Sequence, residues 1–395
     1  MNFEGLRVLV PDAYSRQVPN ILYQLHLLRC AVTTVSSSKF DPGYASRYAE
    51  KKHVVSGLKD DSDLRNKTIS QFLSTDQYDV VLPITEPVTE FLLNNIATMS
   101  IHTRVAAAPL DAFIKAYDKM QTLNACRSAD VPHPLTRMDS ETVEEYVIHA
   151  KFPLALKPRK AAGSIGFCKV DNTGELYDLI RNGKVAPENY VIQEFIPQTD
   201  IQYVNYVFMD NEGNVKASLV AEKLRWFPID GGSATLLRTT RRPDIEAMSQ
   251  KLLKTLRWRG YCQVGYINDP RDNTPKILEI NGRIPASIKL CHLSGINVIQ
   301  QMIELAYDVP VTAFLENKHI GQSLRYFQTD ILWLLKSPNR FKTKPSWFNF
   351  YQNHDYIFSW HDPWPFFAYS LRGIERYGIE MQKRDRTLKS GIGKQ

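Results

Sequence analysis

The sequence predicts a protein of mixed α/β and α+β class, in which a parallel α/β domain precedes a two-lobed α+β region and a C-terminal extension. Three observations support this prediction: a length of 395 residues, alternation of apolar runs with helical periodicity in residues 1–108, and strand pairs joined by polar turns in residues 109–310. Single cores rarely exceed about 250–300 residues, so this length indicates roughly two to four packed units. Hydrophobic residues form 43% and charged residues 23% of the chain, which is typical of globular proteins.

Residues 1–108 show the alternation of strand and helix that is typical of a parallel sheet. Short apolar runs bounded by turn residues predict strands, and apolar residues at helical spacing predict the helices between them. No G-x-G-x-x-G follows the first strand, so a dinucleotide fingerprint is missing. The predicted strands are Leu6–Val10, Ala31–Ser36, Tyr78–Ile84 and Arg104–Ala108, and the predicted helices are Asn20–Arg29 and Pro87–Thr98.

The remainder of the chain divides into residues 109–190, residues 191–310 and an extension over residues 311–395. The first of these units begins with a predicted helix at Asp111–Ser128 and continues with a strand, a glycine loop and a second strand. The extension contains four of the six tryptophans. We expect it to be a lid or a satellite unit packed by aromatic side chains, and a peripheral membrane or protein-binding face is the alternative.

Charge and cysteine content narrow the class of protein. The formal charge of +7 is spread among 42 acidic residues without a long basic block, so an anionic small molecule is predicted as ligand and no nucleic acid. The five cysteines lack C-x-x-C spacing, which argues against a disulfide framework and a zinc site. No leader and no spanning run of about 18 apolar residues is predicted, so we expect a cytoplasmic protein, and a homodimer is compatible with these features.

A lysine followed by a glycine loop is the first element with chemical meaning. Lys157 ends an apolar strand in LALKPRKAAGSIG and precedes Gly163, Ser164 and Gly166. Glycines allow backbone N–H groups to close over phosphates, and a lysine at a strand end adds a positive charge. An ordinary loop of small residues between two strands is the alternative explanation of this sequence.

The second element is the apolar strand YVIQEFIPQTD, which runs into a turn broken by proline. Backbone groups at such a strand end can bind an adenine edge, and the carboxylate of Asp200 can accept ribose hydroxyls. An edge strand with a solvated turn is the alternative explanation.

The third element, KILEINGRIPAS, is more specific. Glu279 and Asn281 lie at i and i+2 on a predicted strand, so their side chains project to one face. Two oxygen ligands suit Mg²⁺, and the planar guanidinium of Arg283 suits a phosphoryl or carboxylate group. A buried ion pair between Glu279 and Arg283 is the structural alternative.

Together these elements resemble the ATP-grasp superfamily, in particular its carbamoyl-phosphate-synthase-like and carboxylate–amine ligase members. DKMQT, LALKP, AGSIG, QEFIP and LEINGR occur in the family's order over most of the chain. SRYAEK and LPITEP are similar to the pre-ATP-grasp domain of these members, and HDPWPFF resembles a tail seen in uncharacterised ones. The resemblance implies an N-terminal pre-ATP-grasp domain, a two-lobed ATP-grasp fold and an aromatic C-terminal extension.

The resemblance also implies ATP and Mg²⁺ as cofactors, and small-molecule carboxylate and amine substrates. ATP would convert the carboxylate to an acyl phosphate, which the amine would attack to form an amide. A nucleotide-binding module without turnover, or an enzyme with a phosphorylated or thioester product, are the alternatives. The implied roles are phosphate contact for Lys119, Lys157 and the flap with Gly163, Ser164 and Gly166, adenine contact for Gln193, Glu194 and Ile196, ribose contact for Asp200, metal binding for Glu279 and Asn281, catalysis for Arg283 and Lys223, and substrate contact for Arg225 and Ser233.

One position departs from the family pattern. The strand before LEIN usually carries an acidic first metal ligand, whereas the matching stretch here is QVGYI with Gly265. The loss of one carboxylate predicts weaker Mg²⁺ binding unless Gln263 or another acid replaces it. The family's Asn-Pro-Arg is Asn281-Gly282-Arg283 here, which is a milder change.

Overall fold

Three β-sheets organise the chain, and the candidate site lies where the units built on them meet. The structure is a computed structural model that describes residues 1–75, 78–99, 102–160, 166–198, 201–229, 232–316, 318–350 and 352–373. Within these ranges, no helix is both long and apolar enough to span a membrane.

The N-terminal domain is a five-stranded parallel sheet with the order β3-β2-β1-β4-β5, which confirms the predicted parallel α/β class. The order reverses between β1 and β4, and in open α/β sheets ligands bind at the carboxyl ends of strands at such a point. Val8, Leu9 and Val10 of β1 are fully buried, as expected for a strand covered by helices on both faces. The elements are β1 (Arg7–Val10), α1 (Val18–Leu27), β2 (Ala31–Ser36), α2 (Pro42–Ala45), β3 (Lys51–Val54), α3 (Ser62–Ser74), β4 (Val80–Val81), α4 (Glu86–Met99) and β5 (Arg104–Val105).

The next unit, the small lobe, is built on a three-stranded antiparallel sheet with the order β7-β6-β8. The single helix predicted over residues 111–128 is two helices, because Asp118 has an extended backbone and its side chain caps the second helix by accepting a hydrogen bond from the Met120 N–H. The elements are α5 (Leu110–Tyr117), α6 (Lys119–Ser128), α7 (Val143–His149), β6 (Leu154–Pro158), β7 (Cys168–Val170), α8 (Thr173–Arg181) and β8 (Tyr190–Glu194).

The small lobe ends later than the predicted boundary at residue 190. Strand β8 pairs with β6 along its whole length, from Leu154 opposite Glu194 to Pro158 opposite Tyr190. The strand that was assigned to the second lobe therefore completes the sheet of the first, and the division between the lobes falls between β8 and the strand that follows it.

The large lobe is a seven-stranded sheet with the order β13-β12-β9-β10-β11-β14-β15. All neighbours are antiparallel except β14 and β15. Helices α5 and α6 pack against β13, which brings the start of α6 close to the strand that carries the LEIN motif. The elements are β9 (Gln202–Met209), β10 (Val215–Phe227), β11 (Ser233–Thr240), α9 (Pro243–Thr255), β12 (Gly260–Asp269), β13 (Thr274–Asn281), α10 (Lys289–Leu293), α11 (Val298–Ala306), β14 (Ser323–Arg325), α12 (Phe327–Lys336) and β15 (Asn353–Asp355).

The C-terminal segment, residues 311–373, is built into the large lobe rather than set apart from it. Strands β14 and β15 extend its sheet beyond β11. On α12, Asp330 is fully buried and forms ion pairs with Arg225 of β10 (2.9 Å) and Arg325 of β14 (2.7 Å). The segment also reaches the N-terminal domain, where Arg372 pairs with Asp41. The described part of the aromatic extension therefore contacts both the large lobe and the N-terminal domain.

Replacing Asp330 with alanine tests the importance of this buried carboxylate. The change leaves two buried arginines without their shared partner and also removes the acceptor for the Thr235 hydroxyl. We expect the free energy of unfolding to fall by about 3–5 kcal/mol, measured by urea denaturation. Asp178→Ala, at an exposed pair with Arg181, is the control and should cost at most about 0.5 kcal/mol. Equal, small losses for both variants would contradict a structural role for Asp330.

Candidate functional site

A carboxylate and an amide lie side by side at the end of β13. Glu279 and Asn281 occupy alternate positions of the strand, and the side-chain N–H of Asn281 donates to Glu279 Oε1 over 3.3 Å. This hydrogen bond holds the two predicted metal ligands together on one face of the sheet.

Three lysines from three different elements act electrostatically on Glu279. Lys119 begins α6, Lys157 lies near the end of β6 and Lys223 lies in β10. Burial lowers the pKa of each lysine, and for each the negative charge of Glu279 opposes that decrease. The effect is largest at Lys157, where burial, joined by repulsion from Lys119, lowers the pKa to about 8. The structure thus brings both predicted phosphate lysines and one predicted catalytic lysine to the same carboxylate.

Glu279 stays ionised in this environment. Burial alone would raise the pKa of its carboxyl group, but the charges of Lys119, Lys223 and Lys157 and the hydrogen bond from Asn281 outweigh burial and lower it. Glu86 and Asp118 also act on Lys119, but these two carboxylates pair with Arg283 and Arg159, so three lysines around Glu279 leave a net positive cluster. Such a cluster attracts a polyanion, because each added negative charge offsets the cost of holding ammonium groups out of water.

The N-terminal domain contributes Glu86 to the same place. Glu86 begins α4, and its Oε1 lies 3.1 Å from Nε of Arg283. A small pocket is lined by Glu86, Tyr117 and Lys119 together with Glu279 and Asn281. Arg283 therefore pairs with Glu86. The alternative explanation of the motif, an ion pair between Arg283 and Glu279, is not what the structure shows. No local signal marked Glu86 in the sequence, although it lies within LPITEP.

The strand assigned to adenine binding is buried and tied to the large lobe. Gln193, Glu194 and Ile196 are at most 5% exposed. The carboxylate of Glu194 accepts a hydrogen bond from the Leu135 N–H and pairs with Arg271 (2.8 Å) and with Lys276 (3.3 Å). Although burial raises the pKa of this carboxyl group, these partners outweigh burial and lower it. The Glu194 side chain is thus occupied, and an adenine ring would meet backbone groups here.

The loop predicted to cover phosphates is described only at its end. Gly166 has φ of +73°, and a Cβ there would lie 2.7 Å from Cγ of Pro158, so a glycine is required at this position. Gly163, Ser164 and Asp200 lie outside the described residues.

The two predicted substrate contacts do not join the cluster. Arg225 is 1% exposed and forms a two-point pair with Asp330, so its guanidinium faces the C-terminal segment and is closed to a substrate. The cause is a β-bulge: the pairing register of β10 shifts between Lys223 and Arg225, so these i and i+2 residues do not share one face. Ser233 is exposed at the start of β11, opposite Phe227.

Gly265, at the position where the family pattern has an acid, places no side chain beside Glu279. Gly265 of β12 lies directly across from Glu279, and a Cβ at Gly265 would meet Cγ of Glu279 at 3.5 Å, an ordinary contact. Gln263 lies across from Asn281, and its side-chain N–H donates to Ser287 Oγ over 3.4 Å. In the described part of the chain, no three His, Cys, Asp or Glu residues group together as metal ligands. Glu279 and Asn281 fit Mg²⁺ only as an ion that also takes phosphate and water oxygens.

Comparison with known proteins agrees with this geometry. Residues 116–287, which include Lys119, Lys157, Lys223, Glu279 and Asn281, match the family model described as the ATP-grasp domain.

The chain is also similar to curated proteins and to solved structures. The D-aspartate ligase of Enterococcus faecium is 25% identical over 214 residues, which are 49% of this chain and 50% of that protein. The chain thus spans about half the length of the curated relatives it matches. Among solved structures, the biotin carboxylase domain of Hydrogenobacter thermophilus 2-oxoglutarate carboxylase, in complex with MgADP, ADP and bicarbonate, has a TM-score of 0.66 at 14% identity, covering 80% of this chain and 73% of that one. The L-amino acid ligase from Bacillus licheniformis has a TM-score of 0.57 at 16% identity, covering 77% and 74%.

The lowered pKa of Lys157 predicts proton uptake when ATP binds. At about pH 8.5, above the pKa of about 8, most Lys157 side chains are neutral, and a bound phosphate raises the pKa, so a proton is taken up. At about pH 7 the lysine is already charged and the uptake should be small. Isothermal titration calorimetry in buffers of different ionisation enthalpy measures this quantity. Lys157→Met, of similar length without the charge, should reduce the uptake. An unchanged uptake in this variant would assign the proton to another group.

Proposed function

We propose that the protein is an ATP- and Mg²⁺-dependent ligase that joins a carboxylate to an amine through an acyl phosphate. The observation that supports this most directly is the convergence of Lys119, Lys157 and Lys223 on the ionised carboxylate of Glu279. These residues come from separate stretches of the chain, and their net positive charge suits a triphosphate. The proposed substrates are a small-molecule acid and a small-molecule amine.

In this proposal the protein acts by charge and position. Lys119 and Lys157 bind the phosphates, while the backbone of β8 near Gln193 binds adenine. Lys223 and Arg283 stabilise negative charge as the γ-phosphoryl group moves. Bound to Glu279, Asn281 and the phosphates, Mg²⁺ would supply further charge neutralisation.

The two chemical steps need no nucleophile from the protein. A carboxylate oxygen of the acid attacks the γ-phosphorus, the bond to the bridging oxygen breaks and ADP leaves. The amine nitrogen then attacks the acyl carbon, and inorganic phosphate leaves with the bonding electrons while the amine loses a proton. The cleft orients the two substrates and excludes water from the acyl phosphate.

The names of similar proteins support the reaction class. A D-aspartate ligase and an L-amino acid ligase both join amino acids by name, and a third similar protein was solved with MgADP. Neither the acid nor the amine of this chain follows from them, since they share at most 25% identity with it.

Gly265 favours a second candidate, an ATP-grasp module that binds nucleotide without turnover. A carboxylate at this position would lie beside Glu279, and without it the cluster has one acid against three lysines. Nucleotide would still bind through the lysines, but the metal would be held less firmly.

A substrate screen separates these candidates. Purified protein with ATP, Mg²⁺ and pools of amino acids, sugar acids and amines should release ADP, and mass spectrometry should identify an amide. A phosphorylated or thioester product would replace the proposed reaction by that alternative, and the absence of ADP with every pool would support the binding module.

Glu279→Gln should lower ADP release roughly 100-fold or more, because the ion and the lysines lose their charged partner. Thermal unfolding should report little change in fold. The control is Glu222→Gln, on the opposite face of the same sheet, where the carboxylate pairs with Arg238. Equal activity in the two variants would remove Glu279 from the site.

Gly265→Glu should restore a second carboxylate to the cluster. The new side chain has room for its Cβ, and its charge should lower the Mg²⁺ concentration for half-maximal ADP release by roughly tenfold. A Mg²⁺ titration of the variant and of Gly265→Gln, which adds similar bulk without charge, checks this. If both variants needed as much Mg²⁺ as the parent, the position would not face the ion.

A further inference from the structure

Arg16 has no acidic ion-pair partner in the described part of the chain, and its loop contacts the segment that follows Arg283. Arg16 is partly buried in the loop between β1 and α1. Burial opposes its charge, but Tyr326, Tyr369 and Tyr356 outweigh burial, Tyr326 also through a hydrogen bond, and raise the pKa of Arg16. A guanidinium removed from water without a counter-charge is costly, so such a group is a candidate for ligand binding.

The tyrosines around Arg16 come from the C-terminal segment. The Arg16 guanidinium carbon lies 4.3 Å from the centre of the Tyr326 ring and 5.7 Å from that of Tyr356. The Tyr326 hydroxyl in turn donates to the Tyr369 hydroxyl over 3.4 Å. Ring faces attract a cation without using its N–H groups, so the N–H groups of Arg16 that are not hydrogen-bonded to Tyr326 can reach an anion.

Two features of the fold point the same way. Arg16 lies two residues before α1, whose first turn contains no acidic residue and whose N-terminus has no side-chain cap, so the positive end of this helix is also uncompensated. The loop leaves the carboxyl end of β1, where the strand order reverses, and open α/β sheets bind ligands at such a point.

The loop also touches the candidate site directly. The side-chain N–H of Gln17 donates to the backbone oxygen of Ile284 over 3.1 Å, and Ile284 follows Arg283 in the chain. The residue after Arg16 is therefore hydrogen-bonded to the residue after Arg283, so the two backbone segments lie side by side.

We propose that Arg16, assisted by Tyr326 and the N-terminus of α1, binds an anionic group of a substrate, a carboxylate or a phosphate, in addition to the group that reacts. The inference rests on the proposed function and narrows it to substrates with a second acidic group. The C-terminal segment then shapes the substrate site, since it supplies the tyrosines that orient Arg16.

Matched substrate pairs test the proposal. ADP release is measured with aspartate against asparagine, glutamate against glutamine and O-phosphoserine against serine, each as the D- and the L-form and with the amine pools. The parent protein should favour the acidic member of at least one pair by about tenfold or more in kcat/KM. A preference for aspartate or glutamate assigns a carboxylate, and a preference for O-phosphoserine assigns a phosphate.

Variants of Arg16 separate recognition from a merely structural contact. Arg16→Gln should remove most of this preference, and Arg16→Lys, which keeps the charge, should retain part of it. The control is Arg104→Gln, because Arg104 also lies over a tyrosine ring, Tyr307 at 4.6 Å, but on the surface of β5. It should preserve both the rate and the preference of the parent.

The outcomes distinguish the two levels of the proposal. Two results would overturn the anion site but not the proposed ligase activity. One is ADP release with equal kcat/KM for the acidic and neutral members of every pair. The other is an equal decrease in kcat/KM for both members in Arg16→Gln. If none of the acids in the pools caused ADP release, both the proposed function and the anion site would be overturned.

Discussion

The ionised carboxylate of Glu279 lies among three lysine side chains, and the remaining parts of the site are arranged around this interaction. Lys157 belongs to the small lobe, Lys223 to the large sheet, and Lys119 to a helix packed on β13. Because each lysine is stabilised in its charged form by the same carboxylate, the two lobes share one electrostatic centre across the cleft. Removing the charge of one lysine changes the pKa of Glu279 and, through it, of the other two lysines. The four groups therefore respond to a charged ligand together.

The sequence predicted those parts of the fold and site that follow from local periodicity. Alternation of strand and helix identified the parallel sheet, and the period of two along a strand placed Glu279 beside Asn281. The substrate role of Arg225 came from the resemblance, and the structure instead buries this side chain against Asp330, beyond a bulge in β10 that follows Lys223. A bulge leaves no signal in a single sequence, and the buried partner of Arg225, Asp330, is 105 residues away.

Contacts between distant segments were the other part that sequence reasoning missed. Glu86 and Arg283 come from different domains, and only the folded chain brings their charges within 3.1 Å. The aromatic extension was expected as a lid or a satellite. Instead, its described part adds two strands to the central sheet and places tyrosines against the N-terminal domain. Aromatic content indicated that the segment packs, but the surface on which it packs depends on sheet order, which composition does not encode.

The pairing of Glu194 with Arg271 and Lys276 has a mechanical consequence. Glu194 ends the last strand of the small lobe, and its two cationic partners lie in and after the turn between β12 and β13 of the large lobe. These ion pairs hold the end of β8 against the large lobe, whereas Lys157 lies on β6 opposite Val191, away from the paired end at Leu154 and Glu194. A displacement of the small lobe that preserves both ion pairs therefore moves Lys157 farther than it moves Glu194.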